Sequence, residues 1–255
     1  MAAAADSTSE DALLGGRLVL RQPLRGHRFG HDAVLLAAAT PARAGEHAIE
    51  LGAGVGAAGL ALARRVNGVA VTLIELDPDI TALARENAAR NLLSERVRAV
   101  CLDIAGTPAQ FAAAGLGLDA ADQVLMNPPF NAPHNPSPDQ SRRLARAASP
   151  GMLGQWIDAA ARLLRPHGVL TLIWRADGLA DVLAALTAGF GAIAIMPIYP
   201  KPGAPAIRVL IGAAKASHAP MALLPGLILA DSDNKPTAKA EAILRDGAAL
   251  SLATP

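Results

Sequence analysis

A glycine-rich run between two acidic residues is the first feature of this sequence whose residue types could do chemistry. Gly52, Gly54 and Gly56 stand at alternate positions after Leu51, where an apolar segment gives way to an alanine-rich one. Glycines at a strand-to-helix turn let backbone approach a ligand with no Cβ in between. Glu75 follows Gly54 by 21 positions, a spacing suited to a carboxylate that accepts hydrogen bonds from ribose hydroxyls. The pattern predicts a cofactor that carries adenosine.

The glycine run alone fits more than one kind of cofactor. Its first two glycines and Ala57 satisfy the dinucleotide pattern G-x-G-x-x-A, so a nicotinamide dehydrogenase is one candidate. A turn that binds nothing is another, which the well-spaced acid disfavours. Two features favour a different cofactor class: Glu50 just ahead of the first glycine, and the run from Asn127 to Phe130 at the end of the fourth predicted strand.

With these two motifs the chain resembles the amino-group methyltransferases of the class I fold, which use S-adenosyl-L-methionine. The resemblance rests on Glu50-Leu-Gly-Ala-Gly-Val-Gly followed by Asn127-Pro-Pro-Phe. It implies an α/β, doubly wound, Rossmann-like sheet of seven strands, mostly parallel with an antiparallel C-terminal hairpin strand. The catalytic residues that it implies are Asn127, Pro128, Pro129 and Phe130. The cofactor-binding residues that it implies are Glu50, Gly52, Gly54, Glu75, Asp103 and Asn127.

The Asn-Pro-Pro-Phe run suits methyl transfer to an amino nitrogen. The lone pair of an exocyclic amine is delocalised into the ring of its base, so the nitrogen attacks a methyl sulfonium poorly unless acceptors hold its hydrogens. The side-chain carbonyl of Asn127 is one acceptor, and the backbone carbonyl of Pro128 is a second in a turn that proline stiffens. Phe130 can stack on a base that has left its own stack. An ordinary Asn-Pro turn with a phenylalanine in the core is the structural alternative.

A narrower resemblance points to the substrate. Gln22-Pro23, the run Arg28-Phe-Gly-His-Asp-Ala33 and Val34-Leu-Leu are similar to bacterial methyltransferases that modify N6 of an adenine beside the anticodon of valine tRNA. The similarity spans roughly residues 16–215 and implies tRNA as the partner. Three alternatives stay open. They are a glutamine methyltransferase acting on release factors, a guanine-N2 methyltransferase of ribosomal RNA, and an RNA-binding module without catalysis.

Alternating residue patterns predict the elements that position these residues. From His47 onward, short β-rich runs alternate with longer Ala/Leu/Arg segments of helical period, as in a parallel sheet flanked by helices. The predicted strands are His47 to Leu51, Val69 to Glu75, Val97 to Leu102, Asp122 to Asn127, Val169 to Trp174, Ile193 to Tyr199 and Ile207 to Gly212. The predicted helices are Ala33 to Ala39, Ala57 to Arg65, Pro78 to Leu93 and Pro150 to Leu164. No helix separates the last two strands, which are therefore expected to form an antiparallel hairpin.

The same patterns divide the chain into four segments. Residues 1–15 are expected to be a flexible N-terminal tail, 16–46 a basic N-terminal arm and helix, 47–215 the catalytic domain, and 216–255 a C-terminal extension of that domain. The arm has no acid from residue 16 to 31, and a long Pro/Asn/Ser-rich loop over 131–148 ends in further arginines. The predicted RNA-contacting residues are Arg21, Arg25, Arg28, Arg142 and Arg143, with Lys201, Arg208 and Lys215 as a third basic stretch.

Composition limits the partners and the compartment. The formal net charge is +1 with a pI near 8.0, so attraction to a polyanion has to be local. Cys101 is expected as a buried strand residue, and a single cysteine cannot form a disulfide within the chain, which favours a cytoplasmic location. No apolar stretch is long enough to span a membrane, and the histidines show no metal-ligand spacing, so neither a membrane nor a metal is expected.

Overall fold

The computed structural model describes residues 8–24, 28–129, 151–187 and 189–252. The strands of these ranges are β1 (Thr8–Leu13), β2 (Leu18–Pro23), β3 (His47–Leu51), β4 (Ala70–Glu75), β5 (Val97–Cys101), β6 (Ala121–Met126), β7 (Leu164–Arg175), β8 (Phe190–Tyr199), β9 (Arg208–Lys215), β10 (Ala222–Leu223) and β11 (Leu227–Ile228). The α-helices are α1 (His31–Ala39), α2 (Ala57–Arg65), α3 (Pro78–Arg90), α4 (Pro108–Ala113), α5 (Met152–Leu163), α6 (Leu179–Leu186) and α7 (Ala238–Leu244).

The main sheet has nine strands in the order β10-β8-β9-β7-β6-β3-β4-β5, with β11 also paired to β8. Strand β9 runs antiparallel to both neighbours, β7 and β8, while the other pairings in this sheet are parallel. The predicted α/β fold, with a mostly parallel sheet and an antiparallel C-terminal strand, is confirmed. The two-residue strands β10 and β11 were not predicted, because elements so short leave no alternation to read.

Parallel strands bring the residues that follow them to one edge of the sheet, here called the carboxyl edge. Leu51, Glu75, Cys101 and Met126 end β3 to β6 at this edge. The pairs Leu51–Met126 and Glu75–Cys101 are directly in register. The glycine run and Asn127 therefore begin side by side, because they follow paired residues of adjacent strands.

Aliphatic side chains bury both faces of the sheet. One cluster joins α1 and α2 to the sheet through small residues, and every residue of α1 from Ala33 to Ala39 is buried. The second cluster packs α4, α5 and α6 on the other face and includes Phe111, Ile157 and Leu186. Alanine on α1 and α2 lets these helices approach closely, which explains a core built with few aromatic rings. Within the described ranges, no helix is long and apolar enough to cross a membrane.

Residues 8–23 form a hairpin. Strands β1 and β2 pair antiparallel, with Glu10 opposite Arg21. The prediction of a flexible tail over residues 1–15 is therefore wrong from Thr8 onward. Leu18 and Leu20 of β2 are fully buried, so the hairpin is anchored by apolar packing to which the alanine-rich start of the chain gives no clue.

Two asparagines, Asn87 of α3 and Asn91 at the C-cap of that helix, form strand-like pairs of hydrogen bonds with the backbone of β2. Asn87 accepts a hydrogen bond from the backbone N–H of Arg21 at 2.8 Å and donates one to its carbonyl at 2.9 Å. Asn91, one helical turn later, makes the same pair with Val19 at 3.0 and 2.8 Å. Asn87 also donates to the carbonyl of Val55 at 3.0 Å, so the hairpin and the glycine run share one support.

Candidate active site

The glycine run forms a left-handed turn between β3 and α2. Gly52, Gly54 and Gly56 have φ angles of +65°, +55° and +88°, a region that residues with a Cβ rarely adopt. A Cβ on Gly56 would lie 2.7 Å from a methyl of Leu73, so the last glycine is also required by packing. A Cβ on Gly54 would meet no described atom within 4 Å, so this part of the turn faces open space. The turn forms a concave surface, called the glycine cradle below, where an extended ligand can lie close to the backbone.

The carboxylate of Glu75 holds this turn to the end of β4. Its Oε2 accepts a hydrogen bond from the N–H of Gly54 at 2.9 Å, and its Oε1 accepts one from the N–H of Asp77 at 2.9 Å. Asp77 caps α3 by accepting from the backbone N–H groups of Asp79 and Ile80. Each carboxylate oxygen has a second acceptor site, so Glu75 can also receive a hydroxyl group. A contact with a ribose remains a prediction.

Glu50 lies beneath the turn with only 5% of its surface exposed. Its Oε2 accepts a hydrogen bond from the N–H of Gly59 in α2 at 2.7 Å. The pKa of Glu50 is raised to about 8: burial is the largest cause, the Gly59 hydrogen bond opposes the rise, and the charge of Glu75 adds to it. The carboxyl group is therefore largely protonated at neutral pH in the ligand-free protein.

Asn127 presents an uncommitted amide at the carboxyl edge. It follows Met126, which pairs with Leu51, so it stands beside the start of the glycine turn. Its side chain is partly exposed and makes no hydrogen bond with any residue that the structure describes, whereas Pro128 is buried. The carbonyl of Pro128 likewise accepts no hydrogen bond within the described residues. Two acceptors are thus available next to the cradle.

The loop after β5 completes this edge. Asp103 is exposed and its Oδ1 accepts from the N–H of Ala105 at 2.9 Å, while the N–H of Leu102 donates to the carbonyl of Glu75 at 2.9 Å. Its contact with a cofactor remains a prediction. Cys101 was expected to be buried, and this expectation is wrong: the thiol is exposed, because β5 is the last strand at its side of the sheet.

The predicted RNA-contacting residues are only partly described. Arg21 pairs with Glu86 at 2.8 Å, and Arg28 pairs with Asp11 at 2.8 Å, so acids from elsewhere in the fold compensate the basic arm. Lys215 lies at the opposite end of β9 from Arg208, about 24 Å away along the strand. Arg25, Phe130, Arg142 and Arg143 lie outside the described residues.

Sequence patterns missed two contacts at the carboxyl edge. Arg208, at the start of β9, donates through Nε to Asp32 of α1 at 2.8 Å. These residues stand 176 positions apart, and no local pattern connects them. Trp156 of α5 packs against Gly52. The only signal for it was its type, since the chain has two tryptophans.

Comparison with known families decides between the cofactor classes. The model described as "Methyltransferase small domain" matches residues 28–201. The chain belongs to this family. The predicted methyltransferase family and the predicted S-adenosylmethionine cofactor are thereby confirmed, and the nicotinamide alternative is excluded.

Curated relatives are similar over the same region. A tRNA1(Val) (adenine(37)-N6)-methyltransferase of Tolumonas auensis is 32% identical over 64% of this chain and 65% of its own length. One of the same name from Porphyromonas gingivalis strain W83 is 35% identical over 61% of each chain. The chain thus spans less than two thirds of these two relatives. Another from Dickeya chrysanthemi is 28% identical over 86% of this chain and 87% of its own length.

Solved structures support the fold. A predicted O-methyltransferase from Agrobacterium tumefaciens has a TM-score of 0.73 and 28% identity, covering 86% of this chain and 98% of its own. A SAM-dependent O-methyltransferase from Thermotoga maritima has a TM-score of 0.52 and 19% identity over 76% of this chain and 68% of its own. The second similarity shows the fold alone.

Glu75→Gln is expected to weaken binding of S-adenosylhomocysteine about tenfold or more. The glutamine NH2 group places a donor against the N–H of Gly54 or of Asp77, and a lost bond to a charged group costs about 1.5–3 kcal/mol. Isothermal titration calorimetry measures the affinity. Asp79→Asn, an exposed change in the first turn of α3, is the control and should bind like the wild type. A dissociation constant unchanged in Glu75→Gln contradicts the role of this carboxylate.

Glu50→Gln is expected to change how stability depends on pH. The folded-state pKa of about 8 lies above the ordinary glutamate pKa of 4.5, so the stability present below pH 4.5 is lost as pH rises toward 8. Relative to Glu50→Gln, the wild type should lose up to about 1.4 kcal/mol of unfolding free energy per pH unit in this window. Urea unfolding at pH 5, 6, 7 and 8, without cofactor, measures the difference. The exposed variant Glu95→Gln is the control; a difference that stays flat with pH rules the assignment out.

Proposed function

We propose that this protein transfers a methyl group from S-adenosylmethionine to N6 of an adenine in tRNA, with adenine 37 of valine tRNA as the first substrate to test. The observation that carries the proposal is the position of Asn127 and Pro128, two acceptors that have no hydrogen-bond partner among the described residues and that begin beside the glycine cradle. The names of the curated relatives support the same base and the same nitrogen.

The two acceptors suit an amine because an amine has two hydrogens to hold. The carbonyl of Asn127 and the backbone carbonyl of Pro128 can each accept one, which favours a nitrogen whose lone pair points out of the base plane. Both acceptors are fixed by short connections to buried β6, so little reorganisation is needed. The chain's contribution to rate is then positioning, together with electrostatic stabilisation of the transition state.

The residues present fit S-adenosylmethionine. The cofactor supplies an activated methyl group on a sulfonium. Gly54 leaves open space at the turn, and Glu75 stands at the end of β4 with acceptor sites to spare. Leu76, next along the chain, is 56% exposed and offers an apolar side chain on which an adenine ring can pack.

An RNA surface at the carboxyl edge is supported by the cations gathered there. Arg175 ends β7, Arg208 begins β9 opposite it, and Lys201 lies in the connection between β8 and β9. Arg175 pairs with Asp177 and Arg208 with Asp32, whereas Lys201 has no ion pair within the described ranges. Lys201 follows β8, three strands from β6, so it stands about 14 Å across the sheet from Asn127. A stem-loop whose base reaches Asn127 can place phosphates over this distance.

A second candidate reaction is methylation of a hydroxyl group, because the Agrobacterium structure, 28% identical to this chain, is described as a predicted O-methyltransferase. Oxygen transfer requires a base that removes the hydroxyl proton, a task that the amide of Asn127 does not perform. The two reactions give different products. Nucleoside mass spectrometry of tRNA incubated with the enzyme and labelled cofactor separates N6-methyladenosine from 2′-O-methyladenosine.

Asn127→Ala is expected to keep cofactor affinity and to lose about 10² to 10³ in single-turnover rate. The reason is that an acceptor for the reacting amine acts chiefly in the transition state. Saturating tRNA and cofactor isolate the chemical step, and calorimetry with S-adenosylhomocysteine checks the site. A near wild-type rate, or a variant that has merely stopped binding cofactor, would falsify this role.

Lys201→Ala is expected to lower the slope of log affinity against log salt for tRNA by about 0.7 to 0.9, since one phosphate contact is lost. Lys215→Ala, at the opposite end of the sheet, is the matched control and should leave the slope unchanged. Filter binding at several salt concentrations measures both variants and Arg21→Ala. A lower slope for Arg21→Ala with none for Lys201→Ala places the RNA on the N-terminal hairpin instead.

A further inference from the structure

The indole ring of Trp156 packs against the first glycine of the turn. A Cβ built on Gly52 would lie 2.3 Å from Cη2 of Trp156, 3.0 Å from Cζ3 and 3.4 Å from Cζ2. All three atoms belong to the six-membered ring, so the ring edge meets the Cα of Gly52. Position 52 therefore excludes any residue with a Cβ for two reasons: the contact with this ring and a φ angle of +65°.

Trp156 reaches Gly52 from the face of the sheet opposite to the one that α1 and α2 cover. It lies in the second turn of α5, whose N-terminal cap is Gly151. The side chain is partly buried and packs on the cluster that contains Leu51 and Met126, the last residues of β3 and β6. Its ring N–H makes no hydrogen bond to any residue in the described part of the chain. One edge of the ring is thus held against the turn, while the side chain as a whole is only partly buried.

We propose that Trp156 is a positioning residue of the cofactor pocket, whose ring forms the wall beside the glycine turn and contacts the bound cofactor. The turn against which the ring packs is the same turn whose Gly54 faces open space two residues later. A rigid aromatic wall fixes a flexible ligand at low entropic cost, and an indole face also favours a nearby cation such as a sulfonium. The chain is 3% aromatic, so a tryptophan here is not a routine choice of core residue. The proposal rests on the cofactor site and not on the RNA substrate.

Fluorescence tests the contact directly, because the chain has two tryptophans. Trp174 is 7% exposed at the end of β7, and Trp174→Phe leaves Trp156 as the reporter. Titration with S-adenosylhomocysteine is expected to change the emission of Trp174→Phe, saturating at the dissociation constant that calorimetry gives. Trp156→Phe, which reports on Trp174, is the matched control and should respond much less.

Affinity and kinetics test the positioning role. Trp156→Ala should raise the dissociation constant for S-adenosylhomocysteine about tenfold or more, and Trp156→Phe should restore most of the loss. In turnover assays, the alanine variant should raise KM for the cofactor far more than it lowers kcat. If Trp156→Ala fails to fold, the fluorescence titration decides alone. Unchanged or tighter binding by the alanine variant, or no emission change in Trp174→Phe, overturns the proposal. Both readouts use cofactor without RNA, so their failure is distinct from an error in the assigned substrate.

Discussion

The left-handed backbone of the glycine turn is the constraint on which the site depends. Its conformation would cost a residue with a Cβ roughly 1–2 kcal/mol at each position, so the turn needs external support as well as glycine. Both supports come from the next strand: Ala53 donates its N–H to the carbonyl of Ile74 at 2.8 Å, and Gly54 donates to Glu75 at 2.9 Å. The shape of the turn after β3 is therefore set by the end of β4, and an acid there has a structural use before any ligand binds.

The buried carboxyl group of Glu50 explains why a glycine, Gly59, occupies a position inside α2. Gly59 lies within α2, where glycine costs about 1 kcal/mol relative to alanine. A Cβ at this position would lie 2.3 Å from Leu73 and 2.7 Å from Oε2 of Glu50. The same closeness allows the N–H of Gly59 to donate to Glu50, a compensation without which the carboxyl group would be buried unsatisfied. The glycine lowers the stability of α2 locally, and in return the carboxyl group of Glu50 is accommodated beneath the glycine turn.

Local sequence patterns predicted the alternating strands and helices of the central sheet. They missed the elements whose position depends on contacts between residues far apart in the sequence. The bounds of β3 and α2 match the prediction. Both elements are specified by residues within or next to them: an apolar run for the strand and the glycines that separate it from the helix. The N-terminal hairpin was missed because its partners, Asn87 and Asn91, follow it by 66 and 72 positions. At the site, the turn and Asn127 were predictable from motifs, whereas Trp156 and the Arg208–Asp32 pair arise only when separate elements meet.

The arginines show why a count of basic residues overstates the surface available to RNA. Arg96 donates to the carbonyls of Ala63, Val66 and Val69, near the end of α2, where helix carbonyls lack partners of their own. Arg65 is buried enough that desolvation lowers its pKa, and it donates to the carbonyls of Ala37 and Thr40. These guanidinium groups connect separate elements of the fold, and their N–H groups are already engaged by backbone carbonyls. With a net charge of +1, the proposed binding of RNA would depend on the few cations at the carboxyl edge and on contacts with the target base.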